Sequence, residues 1–531
     1  MKNTFLLSAL ALVTFAKAQN IGNFTSVQPT AQSATFKIPS SHKFQVLIQA
    51  GDNLITGGGV MPVNSDFCGY VSQTNSSRQG SICVNSEFGP GKVTILDVQY
   101  DSIVGYWNLI NSQNTNFTGV PGGTNVNCGG GISPWKTMVT CEEIDYNLDF
   151  SGSDGYRDFG WNIEINPFTK TVVDQNNDGT ADKVWKMGRF KHENVCFTSD
   201  SAIVYEGEDN SGDGFLFKYV LAQKAKMGAG TLYALSVSGS TGTWIQIANT
   251  TTSNCNSVIA SAQATAATPF DRVEDVEVGP DGKIYFTSTS TGSVYRFNDN
   301  GTTISNFETF VASGNYNINY GTGIQNATFS SCDNLAFDNQ GNLWVCQDGG
   351  GNFIWMIRPT HTAANPQIEI FGVTPSGSEP TGMFFTPDGE FMVLDIQHPS
   401  GGNNTTQLDV AGNAVTMNAD ATLIIALNNK WGVPAVGLEN KNKIASFGLK
   451  NLYPNPSADG ITMLLHSDKN AEATIEIYDV RGKQIRKASN NLTKGDNKLE
   501  VDIELLPEGL YYIKIVSGSD IISGSFFKEF E

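Results

Sequence analysis

Hydrophobic residues recur in short alternating runs along most of the chain, and turn residues separate these runs. Such runs occupy residues 44–48, 92–98, 138–141 and 160–165, with glycine, asparagine, aspartate and serine between them. Alternation with a period of two is typical of strands, and no long run with the 3.6-residue period of a helix competes with it. The pattern therefore predicts an all-β protein.

The later half of the chain repeats one strand–turn–strand pattern three times. The copies span residues 276–286, 335–345 and 383–393, and each centres on an Asp-Gly or Gln-Gly turn. Repeats roughly 50 residues apart are typical of propeller blades, in which each sheet covers the apolar face of its neighbour. A polar cluster precedes each copy, so we expect these clusters to lie near the central channel.

The chain is predicted to comprise four segments. Residues 1–18 have the charged start, apolar run and small-residue cleavage site of a signal peptide. Residues 19–430 form the predicted propeller, residues 431–450 a polar linker, and residues 451–531 a small antiparallel β-sandwich. No later apolar run is long enough to span a bilayer. The mature protein is therefore expected to be exported.

Charge and cysteine content narrow the function classes. The 531-residue chain has a formal net charge of -19, which argues against nucleic-acid binding because phosphate backbones attract basic surfaces.

In an exported protein the eight cysteines are expected to form disulfides, with Cys68–Cys83 and Cys332–Cys346 as plausible local pairs and the connectivity open. A metal-bound Cys128 would leave an odd number, and hence another free thiol.

One segment, residues 127–143, combines a thiol, glycines and carboxylates. Cys128 opens a glycine run, a short strand follows, and Glu142 and Glu143 end it on opposite faces. A thiolate and a carboxylate that converge on one point suit a transition metal. One of the two glutamates can face such a site while the other is solvated. The alternative is a tight turn with a buried cysteine and a surface Glu pair.

A second motif alternates oxygen-bearing side chains around Gly179. It resembles a calcium loop, although Trp185 stands where an EF-hand requires glutamate. The predicted calcium ligands are Asp174, Asn176, Asp178 and Asp182. The alternative is a plain Asn/Asp turn.

Other candidates are less specific in isolation. Arg272 and Glu274 are predicted to share one face of a strand, as a carboxylate ligand beside an anion-binding guanidinium, or as a plain ion pair. The five histidines are too scattered for a histidine-rich zinc centre. Neither a Gly-x-Ser-x-Gly elbow nor a P-loop occurs.

Six blocks, in their order and spacing, resemble the PhoX family of secreted alkaline phosphatases. The blocks are residues 127–143, 188–193, 205–209, 272–274, 333–337 and 381–399, within a resemblance that covers roughly residues 44–400. The resemblance implies a six-bladed propeller with an iron–calcium cluster that hydrolyses phosphate monoesters. It assigns Cys128 to iron, Glu143 and Glu193 to the cluster, and Glu274 and Asp333 to calcium. Arg272 would bind the phosphate, and the weaker assignments are Asn334 as a catalytic residue, Asp395 as a metal ligand, and His398.

The chain departs from the family pattern at several positions. Gly129 stands where alanine is usual, Lys136 replaces a usual glycine, and Cys332 replaces a usual proline. No twin-arginine pair occurs near the N-terminus, so any metal would be acquired outside the cytoplasm.

The C-terminal segment resembles the type A sorting domain of the type IX secretion system of Bacteroidetes. Its motifs lie at residues 453–456, 478–483 and 506–511 and at Lys528. The resemblance implies that the secretion machinery is a partner. It also implies that the protein passes through the periplasm and is then secreted or attached to the cell surface.

These observations favour a secreted, monomeric, metal-dependent phosphatase that acts on a phosphorylated small molecule. One alternative is a phosphodiesterase or lactonase on the same scaffold. The other is a non-catalytic surface-binding propeller in which calcium is structural.

Overall fold

The computed structural model describes residues 20–102, 104–150, 152, 154–432, 447–455, 457–479, 483–518 and 520–529. The predicted signal peptide, most of the predicted linker and parts of the sorting motifs (Pro456, Val480, Arg481 and Gly482) lie outside the described residues. The chain forms a larger unit that ends at Trp431 and a smaller unit that comprises Asp101–Gly105 and the residues from Gly432 onward.

The larger unit is a six-bladed β-propeller. Four of its blades are separate four-stranded antiparallel sheets, and blades 3 and 4 are joined at their outer edges into one nine-stranded sheet. The strand that precedes blade 1 is β1 (His42–Gln49). Blade 1 comprises β2 (Ser65–Ser72), β3 (Gln79–Ser86), β4 (Lys92–Asp101) and β5 (Tyr106–Asn114). Blade 2 comprises β6 (Asn127–Ile132), β7 (Met138–Glu142), β8 (Asn162–Asn166) and β9 (Thr171–Val172). Blade 3 comprises β10 (His192–Phe197), β11 (Ile203–Glu208), β12 (Leu216–Gln223) and β13 (Lys226–Ser238), and β14 (Thr241–Ile247) extends it.

Two short helices, α1 (Thr252–Cys255) and α2 (Val258–Gln263), precede blade 4. Blade 4 comprises β15 (Val276–Val278), β16 (Ile284–Ser288), β17 (Ser293–Asp299) and β18 (Thr303–Val311), and a hairpin of β19 (Gly314–Asn319) and β20 (Ile324–Phe329) follows. Blade 5 comprises β21 (Cys332–Phe337), β22 (Leu343–Gln347), β23 (Phe353–Ile357) and β24 (Ile368–Val373). The remaining strands of this unit are β25 (Glu379–Phe385), β26 (Phe391–Gln397), β27 (Gln407–Leu408), β28 (Ala414–Val415) and β29 (Ala421–Leu427). Single 3-10 turns lie at Gln73–Asn75, Trp185–Met187 and Asn428–Lys430.

The N-terminal strand closes the propeller. Blade 6 has the strand order β25, β26, β29, β1, so its outermost strand comes from the other end of the chain. His42 lies opposite Leu427 in this antiparallel pair. The pairing covers an edge of β29 that would otherwise be exposed.

The three hairpin repeats predicted from the sequence are confirmed as the first two strands of blades 4, 5 and 6. Their turns place Gly282, Gly341 and Gly389 at φ angles of 78°, 77° and 66°. Glycine accepts this left-handed conformation without the steric cost that a Cβ adds.

Apolar side chains pack mainly between blades. Within the described part of the propeller, six buried clusters each join two successive blades. Trp344 of blade 5, for example, packs in one cluster with Leu394 of blade 6. Because each blade packs on both faces, inner strands such as β26 and β29 are buried along their whole length.

The disulfide prediction is wrong. All eight cysteines lie among the described residues, and all are free and buried. On adjacent strands Cys68 lies opposite Val84, so the neighbouring Cys83 points to the other face of the sheet. Cys332 and Cys346 are separated in the same way, because Cys332 pairs with Gln347.

The smaller unit is a β-sandwich of a three-stranded and a four-stranded sheet. Its strands are β30 (Phe447–Tyr453), β31 (Gly460–Ser467), β32 (Ala471–Asp479), β33 (Gln484–Leu492), β34 (Gly495–Asp502), β35 (Gly509–Ser517) and β36 (Asp520–Lys528). Met463 of one sheet and Ile475 and Ile513 of the other share one buried core. Among the described residues, no helix has the length and apolarity needed to cross a membrane.

Candidate metal centre

The first strands of the six blades contact one another in a closed ring around the channel, in the order β2, β6, β10, β15, β21, β25. Potential ligands occupy nearly equivalent places on this ring. The second residue of β2, β6, β10 and β21 is Asp66, Cys128, Glu193 and Asp333, respectively. Glu274 lies two residues before β15. Propeller geometry therefore brings together side chains that are far apart in sequence.

A β-bulge accompanies each of the four ligands that lie within strands. The strand register shifts between Ser65 and Cys68, between Asn127 and Gly130, between His192 and Val195, and between Cys332 and Leu335. A bulge inserts one extra residue and re-aims a side chain. Side chains along a regular strand alternate between its two faces. The bulges thus explain how these four side chains can point to the channel.

A second layer of acidic residues follows the second strand of the blades. Glu87 follows β3, Glu143 follows β7, Asp209 follows β11 and Asp348 follows β22. The predicted site residue Glu143 is one of these.

Three groups of ligand atoms form at the channel, and within each group the atoms lie within 4.8 Å of one another. The groups are Asp66–Glu87–Cys128, Cys128–Glu143–Glu193 and Glu193–Glu274–Asp333. Cys128 and Glu193 each belong to two groups, so the three groups are contiguous. The structure therefore brings together five of the six metal ligands predicted for the channel: Cys128, Glu143, Glu193, Glu274 and Asp333.

The donor set fits cations. Asp66 Oδ1 and Glu193 Oε2 are buried without a hydrogen-bond partner in the described part of the chain. Cys128 Sγ donates to Glu193 Oε1 at 3.1 Å. Buried carboxylate oxygens without donors are costly, and cations relieve both the lost hydration and the mutual repulsion.

The pKa values of the channel side chains are raised, as expected for acidic groups that are buried close together. Burial and the carboxylates of Glu87 and Asp209 raise the pKa of Glu143 to about 9. Burial and Asp348 raise the pKa of Asp333 to about 7. Burial, followed by the Asp66 and Glu193 charges, raises the pKa of the Cys128 thiol. A bound cation would lower these pKa values, because it favours the deprotonated form of every ligand.

Arg272 lies beside these groups in an unexpected backbone conformation. It precedes β15 and has a φ of 57°, so the prediction that it shares a strand face with Glu274 is wrong. Its Nε donates to Asp209 Oδ1 at 2.8 Å, and its Nη2 lies 2.6 Å from Glu274 Oε1. Burial lowers the pKa of Arg272, but the bonds to Asp209 and Glu274 more than reverse that effect. The two carboxylates hold the guanidinium in place, and its side chain stays 34% exposed.

Glu142 is buried, and the prediction that it is solvated is wrong. Both of its carboxylate oxygens accept from Lys183 Nζ at 2.8 Å. They also accept from the backbone N–H groups of Asn125, Gly160 and Trp161. Glu142 thus links the backbone at Asn125 to the backbone at Gly160 and Trp161, and it belongs to none of the ligand groups.

Replacing Lys183 with methionine is expected to lower the free energy of unfolding by about 3–5 kcal/mol, because it leaves the Glu142 carboxylate buried without its cation. Urea denaturation of the metal-loaded protein measures the change. In the control Lys224→Met, an exposed pair with Asp200 is broken and the midpoint should not move. An unchanged midpoint for Lys183→Met would contradict the role of this ion pair.

A family model described as alkaline phosphatase PhoX matches residues 103–400, more than half of the chain. The chain belongs to the alkaline phosphatase PhoX family. PhoX membership makes it a metal-dependent phosphatase.

A second family model, the secretion system C-terminal sorting domain, matches residues 451–529. This domain indicates export by the type IX system to the cell surface or the medium. No curated protein matches the chain.

Among solved structures, the chain is similar to Pseudomonas fluorescens PhoX in complex with vanadate, a transition state analogue. The two share 21% identity over 77% of this chain and 99% of that chain, with a TM-score of 0.61, which shows a common fold. The gluconolactonase XC5397 from Xanthomonas campestris shares 10% identity over 77% of this chain and 99% of that chain, with a TM-score of 0.37.

Two departures from the PhoX pattern lie where the backbone restricts the choice of residue. A Cβ at Gly129 would lie 2.0 Å from the carbonyl oxygen of Glu193, so β6 and β10 approach too closely here for alanine. Lys136 has a φ of 69°, a conformation that suits the glycine usual in the PhoX family.

Gly129→Ala is expected to push Glu193 away from Cys128 and to reduce bound metal, with a loss of stability of about 1–3 kcal/mol from overpacking. Elemental analysis and thermal unfolding measure both effects. Gly314→Ala is the matched control, since its Cβ meets no atom within 4 Å. Equal metal content in Gly129→Ala and the control would contradict the close approach.

Other predicted site residues lie outside the three channel groups. Asp395 is buried, but it belongs to none of these groups. Asn334 follows Asp333 in the bulge and lines a cavity of about 150 Å³ with Asn194 and Asp275. His398 follows β26, with Nε2 3.8 Å from Glu379 Oε1.

The predicted calcium loop is also assembled, away from the channel groups. Asp174, Asp178 and Asp182 place carboxylate oxygens within 4.8 Å of one another. Asn176 Oδ1 instead accepts from Asp178 N at 2.8 Å within the turn.

Two residues that the structure places in the channel groups, Asp66 and Glu87, were not predicted from the sequence. Both lie in blade 1, whose first hairpin closes through residues 73–78 rather than through an Asp-Gly turn. The sequence feature that could have identified Asp66 is its place as the second residue of β2, which matches the places of Glu193 in β10 and Asp333 in β21.

Proposed function

We propose that this PhoX-family protein is a phosphomonoesterase whose channel holds iron and calcium. The observation that carries the proposal is the contiguous set of three ligand groups, which includes one thiol among carboxylates. Sulfur favours iron over calcium, whereas carboxylates alone favour calcium. We therefore assign iron to Cys128, Glu143 and Glu193, and calcium to Glu193, Glu274 and Asp333.

Asp66 and Glu87 extend the site on the other side of Cys128 and provide carboxylates for a further ion. When bound, the ions supply positive charge that stabilises the charge on a transferring phosphoryl group. Asp395 is not required by this assignment, and it remains a predicted ligand that is buried in the first hairpin of blade 6.

Arg272 is proposed to bind a phosphate oxygen. Asp209 and Glu274 engage its Nε and Nη2, and in the described structure Nη1 makes no hydrogen bond. A planar guanidinium held on one side can present its remaining N–H groups to a phosphate. Asn334, with a buried and unpartnered Oδ1, is a second predicted contact on the channel side.

The proposed substrate is a small phosphorylated molecule met outside the cytoplasm, and the proposed active form is a monomer. The type IX secretion machinery is the proposed partner during export. The similar Pseudomonas fluorescens protein was solved with vanadate as a transition state analogue. We accordingly expect vanadate to inhibit this protein competitively.

The test uses the mature secreted protein. Elemental analysis should find iron and calcium, and a generic aryl phosphate should be hydrolysed when calcium is supplied. A diester and a lactone assayed beside it should be poorer substrates. Absence of iron, or no hydrolysis of the monoester by the calcium-loaded protein, would refute the proposal.

A further inference from the structure

The loop at residues 174–182 gathers a second set of carboxylates. It follows β9 and precedes the turn Trp185–Met187, and its acidic groups belong to none of the channel groups. Three carboxylate oxygens, one each from Asp174, Asp178 and Asp182, lie within 4.8 Å of one another. Like charges at this separation repel unless a cation lies between them.

Asp182 provides an independent sign of a ligand. Its residue is only 8% exposed, yet Oδ2 has no hydrogen-bond partner in the described chain. A buried carboxylate oxygen without a donor is a rare and costly arrangement. Burial and the charges of Asp178 and Asp174 raise the pKa of this carboxyl, and the backbone N–H groups of Gln175 and Asn176 offset the rise only in part.

The loop backbone is arranged as in a calcium loop. Asp174 Oδ1 accepts from Asn177 N and its Oδ2 from Gly179 N, both at 2.7 Å. Asp178 Oδ1 accepts from Thr180 N at 2.9 Å. Gly179, with a φ of 92°, stands at the sixth position, where a calcium loop makes its sharp turn. The Thr180 hydroxyl also donates to Asp178 Oδ1 at 2.5 Å, whereas Asp182 Oδ2 accepts no hydrogen bond in the described chain.

We propose that this loop binds one calcium ion, separate from the channel centre. Calcium takes 6–8 oxygen ligands in flexible geometry, roughly the range that carboxylates, a backbone carbonyl and water can provide here. Magnesium demands a smaller, regular octahedron, and the loop offers neither a thiol nor an imidazole to a transition metal. Asp174, Asp178 and Asp182 are the ligands.

The position of the loop gives the ion a structural consequence. Asp182 is followed directly by Lys183. The Nζ of Lys183 donates to Glu142 Oε1 at 2.8 Å and to the carbonyl oxygen of Asp158 at 2.5 Å. A calcium ion at Asp182 therefore fixes the backbone next to the buried ion pair beneath Glu143. The stability of blade 2 should depend on calcium even when the channel is fully loaded.

The experiment compares the metal-loaded full-length protein with Asp178→Asn and Asp182→Asn. After equilibration with calcium and gel filtration, each variant should hold one calcium ion fewer than the unaltered protein. Its iron content and its kcat on an aryl phosphate should be retained. Asp200→Asn, a turn aspartate of the next blade, is the matched control and should lose no calcium.

Asp178 is exposed, so its variant tests the site without disturbing the core. At calcium concentrations near 100 times Kd, the loop ion should raise Tm by about 3 °C, a gain that both variants lose and the control keeps. Equal calcium content in the variants and the control, or an equal Tm gain from magnesium alone, would overturn the proposal. Iron content and phosphatase activity, measured on the same samples, report separately on the channel centre.

Discussion

Glu193→Gln is expected to lower kcat on a phosphate monoester by at least about 10³-fold, because removal of electrostatic stabilisation at the transferring group has effects of this size. Glu193 belongs to two of the three ligand groups, so the loss of its charge weakens two ion sites at once. Elemental analysis should show less iron and less calcium in the same variant. The thermal midpoint measured without metals should rise or stay level, since one buried charge is removed from a repulsive cluster.

Glu164→Gln provides the matched control for this change. Glu164 is also buried, but its carboxylate accepts from Trp135, Thr137 and Gln175 and lies in no ligand group. Its amide replacement should leave metal content unchanged. If Glu193→Gln kept its metals and its kcat, the assignment of the channel centre would be wrong.

Arg272→Lys should lower kcat/KM by about 10²–10³-fold, with both a higher KM and a lower kcat, because a lysine cannot reproduce the planar fork that two carboxylates hold. Metal content should be retained, which separates this effect from ligand loss. Steady-state kinetics over a range of substrate concentrations gives the two parameters, and vanadate inhibition should weaken in parallel.

Arg296→Lys is the corresponding control. Arg296 pairs with Glu308 on the outer strands of blade 4, so its replacement should leave kcat/KM unchanged. Should Arg272→Lys lower only the thermal midpoint and leave the kinetics unchanged, Arg272 would be part of a structural ion pair alone.

Much of the architecture could be predicted from local patterns in the sequence. The hairpins of blades 4, 5 and 6 have glycine turns and alternating strands, and these features act within about ten residues of one another. The hairpins of blades 1 and 2 close through other turns, so the repeat was not visible there and Asp66 and Glu87 were missed. The pairing of β1 with β29 joins opposite ends of the propeller unit and has no local signal.

The sequence by itself determined the all-β class, the blade hairpins and the sorting domain, and it predicted five of the side chains that meet in the channel groups, because each depends on residue type and short-range spacing. Only the tertiary structure decided how these ligands meet. Bulges on neighbouring inner strands aim Cys128 and Glu193 at each other, and a buried lysine binds Glu142 so that Glu143 alone faces the channel. The strand register likewise separates Cys68 from Cys83 and Cys332 from Cys346, because adjacent residues of a strand point to opposite faces.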